Sequence, residues 1–117
     1  MAQPEALVID DDEDMNRMVG AYAQLNGFTY RSAATGQAGL DEVRRSAPAI
    51  VLLDVMLPDV DGFEVAARLA AGRDPPAVIL TSSRSADSYR RRLANTSAVG
   101  FIAKSELSGE AVAALGG

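Results

Sequence analysis

The 117-residue sequence contains no cysteine and no histidine, and each absence removes a class of chemistry. Without cysteine there is no disulfide framework and no thiolate metal site. Without histidine, imidazole acid–base catalysis and a phosphoryl group carried on an imidazole are both excluded. A reactive group in this chain must therefore be a carboxylate, a hydroxyl, an amine or a guanidinium.

Long apolar segments are also missing. No uninterrupted apolar run approaches the roughly 20 residues that a membrane-spanning helix needs, and residues 1–5 lack the charged and apolar regions of a signal peptide. Apolar residues nevertheless make up 48% of the chain, which excludes a disordered tail. A chain of this length fits one compact domain with a single core. We therefore expect a cytoplasmic, single-domain protein that does not insert into a membrane.

Lysine is nearly absent. The chain has ten arginines and one lysine, Lys104. Because a compact ammonium and a forked guanidinium are not interchangeable, this lysine is a candidate functional residue; a stray lysine in an arginine-rich composition is the alternative. The net charge of −5 argues against direct nucleic acid binding by this chain. The arginines at 90–92 are interpreted as a solvated helix face, with contact to a partner or to a second copy of the domain as the alternative.

Short apolar, β-rich runs alternate with longer stretches of helical period, which is typical of an α/β domain. The five predicted strands are 6–9, 28–33, 49–53, 77–80 and 99–103. The five predicted helices are 14–25, 37–45, a third from 61, 86–93 and 109–115. Asp61 and Glu64 form a predicted capping box for the third helix. Since parallel crossovers are right-handed, this alternation predicts a doubly wound parallel sheet with its binding site beyond the carboxyl ends of the strands.

The side chains at the predicted strand ends carry the chemistry. Strand one ends at Asp10 and Asp11, strand three at Asp54, strand four at Thr81 and strand five at Lys104. A parallel sheet brings these groups to one edge, where three carboxylates repel one another by several kcal/mol at an effective dielectric of about 20. Clustered carboxylates suit a hard divalent cation such as Mg²⁺, or Mn²⁺ in its place. A metal so held, beside a hydroxyl and an ammonium, predicts phosphoryl transfer to a carboxylate nucleophile.

The sequence resembles a response-regulator receiver domain along nearly its whole length. The resemblance rests on four segments in order: VIDDD at 8–12, LDVMLPDVDG at 53–62, ILTS at 79–82 and GFIAK at 100–104. The separations also fit the family, with 44 residues from Asp10 to Asp54, 27 from Asp54 to Thr81 and 23 from Thr81 to Lys104. The resemblance implies a flavodoxin-like, three-layer (βα)5 sandwich with a parallel sheet in strand order 2-1-3-4-5. It also implies a single receiver domain over 1–117, with no output domain.

The resemblance assigns a role to each acidic residue at the strand ends. Asp54 corresponds to the phosphoacceptor, and Asp10 and Asp11 correspond to the acidic pair that holds Mg²⁺. The backbone carbonyl of Met56 would complete the metal ligands that the protein supplies. Together these residues predict an Mg²⁺-dependent phosphoacceptor rather than a turnover enzyme.

Three further residues resemble family positions that respond to phosphorylation. Thr81 matches the hydroxyl residue that turns toward the phosphoryl group, and Lys104 matches the lysine of the family. Phe101 matches the aromatic position that swings inward on activation, with an ordinary core aromatic as the alternative. Ser105 departs from the family, which usually has proline there, so the usual loop geometry is not expected. The implied mechanism is a population shift between inactive and active forms.

The implied function is that of a receiver in a two-component phosphorelay. The phosphoryl group would come from a sensor histidine kinase or a histidine-phosphotransfer protein, and the switch would regulate a partner or an output domain. One rival is a phosphate-independent adaptor, although such receivers usually lack an acid, the threonine or the lysine. The other is a small phosphatase in which Asp10 attacks and Asp12 is the acid. Its motif is broken by Asp14, and the chain leaves no room for a substrate-selecting cap.

Overall fold

A computed structural model describes residues 3–107, and the predicted last helix at 109–115 lies outside them. The strands are β1 (Glu5–Ile9), β2 (Thr29–Ala33), β3 (Ile50–Asp54), β4 (Ala77–Ser82) and β5 (Gly100–Ala103). The helices are α1 (Glu13–Leu25), α2 (Gly36–Arg45), α3 (Gly62–Ala70) and α4 (Arg90–Leu93), with 3₁₀ turns at Ala86–Tyr89 and Lys104–Glu106. Across residues 3–107, the helices are all too short or too polar to cross a bilayer.

The five strands form one parallel sheet in the order β2-β1-β3-β4-β5, which confirms the predicted fold. All five residues of β3 are buried, as expected for a central strand covered by helices on both faces. Val51 and Leu53 contribute to a core layer shared with α2 and α3, whereas Ile50 and Leu52 contribute to a layer shared with α1. The sheet is therefore the middle of three layers.

Side-chain caps fix where the first three helices begin. Asp12 accepts hydrogen bonds from two backbone N–H groups of the first turn of α1, and Thr35 accepts one from α2. Asp61 caps α3 through the N–H of Phe63, at 2.7 Å. The predicted capping box is only half formed in the described part of the chain, because the Glu64 carboxylate lies near a neighbouring arginine of α3 instead. Each cap stands at the end of a strand-to-helix turn.

The turn between β3 and α3 folds back tightly on the end of β3. The N–H of Gly62 donates to the carbonyl of Val55 at 2.9 Å. A Cβ on Gly62 would lie only 2.3 Å from the backbone carbonyl oxygen of Asp54, which no real contact allows. Glycine is therefore required at this position so that the loop can pass close to Asp54.

The prediction of one continuous fourth helix over 86–93 is wrong. The segment instead forms a 3₁₀ turn over Ala86–Tyr89 followed by a single α-helical turn, α4. Neither piece has a side-chain cap or a fully buried residue. Because most helical stability in proteins comes from packing an apolar face, a polar segment with three consecutive arginines gains little from a longer helix.

Other differences from the predicted boundaries are small. β2 and β5 each begin one residue later than predicted, at Thr29 and Gly100, while Asp54 and Thr81 are part of their strands rather than the residues that follow them. Within residues 3–107 there is no cis peptide bond, so the peptide before Ser105 is trans. The shifts leave the order of side chains along the sheet edge unchanged.

Candidate functional site

Three carboxylates meet at the carboxyl-terminal edge of the sheet. Each of Asp10, Asp11 and Asp54 offers one oxygen, and these three oxygens lie within 4.8 Å of one another. The register explains the meeting, because β1 and β3 pair as far as Ile9 opposite Leu53, and the acids follow directly. Asp10 and Asp54 are buried, whereas Asp11 is exposed. The structure thus brings together the three acids that the sequence predicted.

Lys104 lies between two of these carboxylates. Its Nζ is 2.8 Å from Oδ2 of Asp10 and 3.2 Å from Oδ2 of Asp54. Burial alone would lower the pKa of Lys104, but the hydrogen bonds and negative charges of the two aspartates outweigh it and raise that pKa. The single lysine is therefore a charged member of the site, held by β5 and the turn that follows it.

The Asp54 carboxylate is in an environment that opposes its ionisation. Burial raises its pKa most, and the charge of Asp10 raises it further. The N–H of Met56, which donates to Oδ1 at 3.1 Å, and the ammonium of Lys104 act in the opposite direction without offsetting the rise. An additional positive charge nearby would favour the ionised form of a buried carboxylate that lies beside a second carboxylate.

The donor set fits a hard divalent cation. Three carboxylates and one ammonium carry a formal net charge of −2, which a divalent ion would balance. Clustered carboxylate oxygens, supplemented by backbone carbonyls and water, are the ligands that Mg²⁺ prefers. The family resemblance implies one further ligand, the backbone carbonyl of Met56, which lies two residues beyond Asp54 on the same loop.

Thr81 lies beside the acidic cluster on the neighbouring strand. It is paired with Asp54 in the register of β3 and β4, and its side chain is buried. Its backbone carbonyl accepts the N–H of Val55 at 2.9 Å, so β4 also supports the start of the loop after Asp54. The predicted hydroxyl residue therefore stands next to the predicted phosphoacceptor.

Phe101 is partly buried and packs against a second aromatic ring. The centroid of its ring is 6.0 Å from that of Tyr89, whose own ring is 5.8 Å from that of Phe63. The Tyr89 hydroxyl lies 3.1 Å from Oγ of Ser82, the residue after Thr81. An aromatic row thus runs from β5 to the start of α3 in this conformation, next to the strand that carries Thr81.

The family model of the response regulator receiver domain matches residues 6–115. This chain belongs to that family. Such domains are the receivers of two-component response regulators, and the match covers all five strands, apart from Glu5 at the start of β1, and every candidate site residue described above.

Curated relatives of this receiver are longer proteins. It is 38% identical over 104 residues to the positive alginate biosynthesis regulatory protein of Pseudomonas aeruginosa, with 84% of this chain and 40% of that protein covered. It is 35% identical over 79 residues to the transcriptional regulatory protein AfsQ1 of Streptomyces coelicolor, with 68% of this chain and 35% of that protein covered. The receiver therefore spans less than half the length of these relatives.

Solved structures share the fold. A CheY-like response regulator receiver domain protein from Methanospirillum hungatei JF-1 superimposes with a TM-score of 0.84 at 20% identity, covering 97% of this receiver and 90% of that chain. Response regulator DrrB of Thermotoga maritima superimposes with a TM-score of 0.82 at 27% identity, covering 97% of this receiver and 50% of that chain. The receiver fold is thus found across distant sequences.

The sequence did not reveal how the loop after Asp54 is held to α2. The Asp59 carboxylate accepts hydrogen bonds from the N–H groups of Gly36 and Gln37 at 2.9 and 3.0 Å. These bonds lower the pKa of Asp59. A Cβ on Gly36 would lie 2.2 Å from a methyl carbon of Val60, so this glycine lets the helix approach the loop. An acid in a loop carries no sequence signal for such a long-range contact.

The arginines of α4 do not form one uniform patch. Arg92 lies 2.6 Å from Oδ2 of Asp61 and stacks 4.2 Å from the centre of the Phe63 ring. Arg90 pairs with Asp87 at 3.0 Å. Arg91 makes no ion pair within residues 3–107. The interpretation of 90–92 as a solvated face therefore misses the contact of Arg92 with the start of α3.

Proposed function

We propose that this receiver accepts a phosphoryl group on Asp54 with Mg²⁺ bound and thereby regulates a partner or an output domain. Mn²⁺ would serve in place of Mg²⁺. The observation that carries the proposal is the meeting of three carboxylates with Lys104 between two of them. The ligands would be the carboxylates of Asp10, Asp11 and Asp54 and the backbone carbonyl of Met56.

In the proposed reaction the phosphoryl group passes from the donor to the Asp54 carboxylate. A carboxylate oxygen of Asp54 attacks phosphorus, an acyl phosphate bond forms, and the bond from phosphorus to the donor's leaving atom breaks with its electron pair. When bound, Mg²⁺ would neutralise charge on the carboxylates and the phosphoryl oxygens. Lys104, already 3.2 Å from Asp54, would pair with a phosphoryl oxygen, and the Thr81 hydroxyl would donate to another.

The switch follows from these new contacts. Thr81 and Lys104 would hold the phosphoryl oxygens, and Phe101 would respond through the aromatic row that reaches Tyr89. The phosphoryl group would favour one of two conformations and so shift their populations. The phosphoryl donor would be a histidine kinase or a histidine-phosphotransfer protein. The receiver would act in the cytoplasm. A second copy of the receiver would be a further partner. This chain would not bind nucleic acid directly.

The geometry weighs against Asp10 as the nucleophile of a phosphatase. The Asp12 carboxylate, which would have to act as the acid, caps α1 through the N–H groups of Asp14 and Met15. We therefore propose that the receiver is a phosphoacceptor with self-catalysed transfer and hydrolysis rather than a turnover enzyme.

Intact-mass measurement after incubation with acetyl phosphate and Mg²⁺ tests the proposal. We expect one added phosphoryl group on the wild type, none on Asp54→Asn and none in chelator. Asp59→Asn, an acid of the same loop outside the cluster, is the matched control and should be labelled. No adduct on the wild type, with donor and metal competent on another receiver, would instead indicate a phosphate-independent adaptor.

A further inference from the structure

Asn16 is a buried polar residue at a core position of α1. It is 8% exposed and belongs to the buried face formed by Asn16, Val19, Gly20 and Ala23. Burying an amide costs free energy unless its hydrogen bonds are made. Asparagine is also a poorer helix former than leucine. Packing and helix stability would therefore favour an apolar side chain here, and the presence of Asn16 calls for another reason.

Within residues 3–107 the side chain of Asn16 makes one hydrogen bond, and its partner is Asp10 of the acidic cluster. Its Nδ2 donates to the backbone carbonyl of Asp10 at 2.8 Å. Only the amide nitrogen can donate to a carbonyl, so the orientation of the group is fixed. Its Oδ1 is buried and has no hydrogen-bond partner within residues 3–107. An unsatisfied oxygen is costly, so the bond to Asp10 is the contact that accounts for the residue.

The peptide that Asn16 holds links the two acids of the β1–α1 turn. The N–H of Asp10 donates to the carbonyl of Ala33 at 3.0 Å, which completes the strand pairing. The carbonyl of Asp10, the residue after the last residue of β1, accepts instead from Nδ2 of Asn16. The peptide group between Asp10 and Asp11 is therefore anchored by an α1 side chain rather than by a neighbouring strand.

Asp11 depends on this anchor more than the other acids do. Its side chain is exposed and makes no hydrogen bond or ion pair within the described range. Asp10 and Asp54, in contrast, are both held by Lys104. Because nothing in that range holds the Asp11 side chain directly, the backbone alone brings its oxygen within 4.8 Å of the others.

We infer that Asn16 is a positioning residue for the metal site, which fixes the Asp10–Asp11 peptide and so directs the Asp11 carboxylate toward Asp54. The inference rests on the proposed function, because it requires that the three carboxylates bind a divalent cation. Groups that orient metal ligands are typically worth about 10- to 100-fold in metal affinity. Asn16→Leu, which matches asparagine in size and suits a buried helix position, should weaken divalent cation binding about tenfold or more.

Mn²⁺ is the probe, titrated into the full chain while electron paramagnetic resonance follows the free ion. Asn26→Leu is the matched control, since Asn26 Nδ2 donates to the carbonyl of Tyr22 at 2.9 Å at the other end of α1. Thermal unfolding in chelator reports folding separately. A merely structural role would lower the unfolding midpoint and leave the Mn²⁺ affinity of the folded protein unchanged.

We expect the wild type and Asn26→Leu to bind Mn²⁺ equally and Asn16→Leu to bind at least about tenfold more weakly while folded. If Asn16→Leu does not fold, Asn16→Ala replaces it with the same expectation. Wild-type affinity in the folded Asn16 variant would overturn the inference and leave the proposed function intact. Absence of Mn²⁺ binding by the wild type would overturn the proposed metal site itself.

Discussion

At the scale of single residues, the site is a balance between burial and charge. Asp10 and Asp54 are buried carboxylates, and Lys104 contacts one oxygen of each. A compact ammonium fits the space between two buried carboxylates, and a larger, planar guanidinium cannot simply replace it there. This geometry gives a physical reason for the only lysine in a chain that otherwise uses arginine.

Replacing Lys104 should leave the repulsion between the Asp10 and Asp54 carboxylates uncompensated. Lys104→Met leaves two buried carboxylates without their cation, and we expect a loss of about 3–5 kcal/mol in the free energy of unfolding in chelator. The loss should shrink in Mg²⁺, because a bound cation supplies the missing positive charge. Urea unfolding with and without Mg²⁺ measures both quantities.

Arg91→Met is the control for this prediction, since Arg91 is exposed and makes no ion pair within residues 3–107. It should change the unfolding free energy little in either condition. A Lys104→Met variant as stable as the wild type in chelator, or one equally destabilised with Mg²⁺ present, would contradict the role assigned to the ammonium.

The residues at the strand ends could be predicted because the rule behind them is simple. In a parallel sheet the carboxyl ends share an edge, so Asp10, Asp54, Thr81 and Lys104 had to meet there. Asn16 could not be found in this way. Hydrophobic periodicity does not place this polar residue in the core, and apolar Met18 and Leu25 of the same helix are exposed. The contact of Asn16 with Asp10 depends on how the turn between them folds, which the sequence pattern does not show.

At the scale of secondary-structure elements, caps and tight turns fix the loops around Asp54. Gly62 allows α3 to begin against the carbonyl of Asp54, and Asp59 ties the same loop to the start of α2. Negative charge at a helix N-terminus is favourable, because the first N–H groups there lack partners within the helix. The loop that follows Asp54 is therefore anchored at two helix ends.

The contact between Asp59 and α2 predicts a pH-dependent contribution to stability. Its two backbone hydrogen bonds lower the pKa of Asp59 from the ordinary 3.8. Because the folded pKa lies below the unfolded one, the stabilisation is present above pH 3.8 and is lost as the pH falls through the lowered value. Asp59→Ala should therefore unfold at a lower temperature than the wild type at pH 7, with a difference that narrows below pH 3.8.

Thermal unfolding across this pH range checks the prediction. Asp74→Ala is the control, because Asp74 is exposed and has no hydrogen bond or ion pair within the described residues. Its unfolding temperature should follow that of the wild type at every pH. If the unfolding temperature of Asp59→Ala stayed equally far below that of the wild type in acid, the carboxylate charge would not be the cause of the difference.

Elements with an apolar face were predicted well, and the polar one was not. α1, α2 and α3 each bury a face against the sheet, and their observed starts lie within one residue of those predicted. α4 follows a run of polar residues with no buried side chain, and its length could not be predicted from residue preferences. Where such a polar helix begins and ends depends on local contacts such as that of Arg92 with Asp61, which sequence patterns do not encode.

At the scale of the whole molecule, the sheet separates two core layers, and the candidate site residues lie along its carboxyl-terminal edge. Alternating buried residues of β3 serve opposite layers, so each layer rests on the same central strand that ends at Asp54. The alternation of strands and helices predicted a parallel, doubly wound sheet. The strand order followed from the family resemblance, because hydrophobic patterns do not determine which strands are neighbours.

The most direct test of this account is to identify the aspartate that carries the phosphoryl group. The receiver is incubated with acetyl phosphate and Mg²⁺, treated with borohydride to reduce the acyl phosphate to an alcohol, and digested for mass spectrometric sequencing. The account predicts homoserine at position 54 and nowhere else, and none when Mg²⁺ is removed. Homoserine at Asp10 instead of Asp54 would contradict it and indicate the aspartyl phosphatase mechanism.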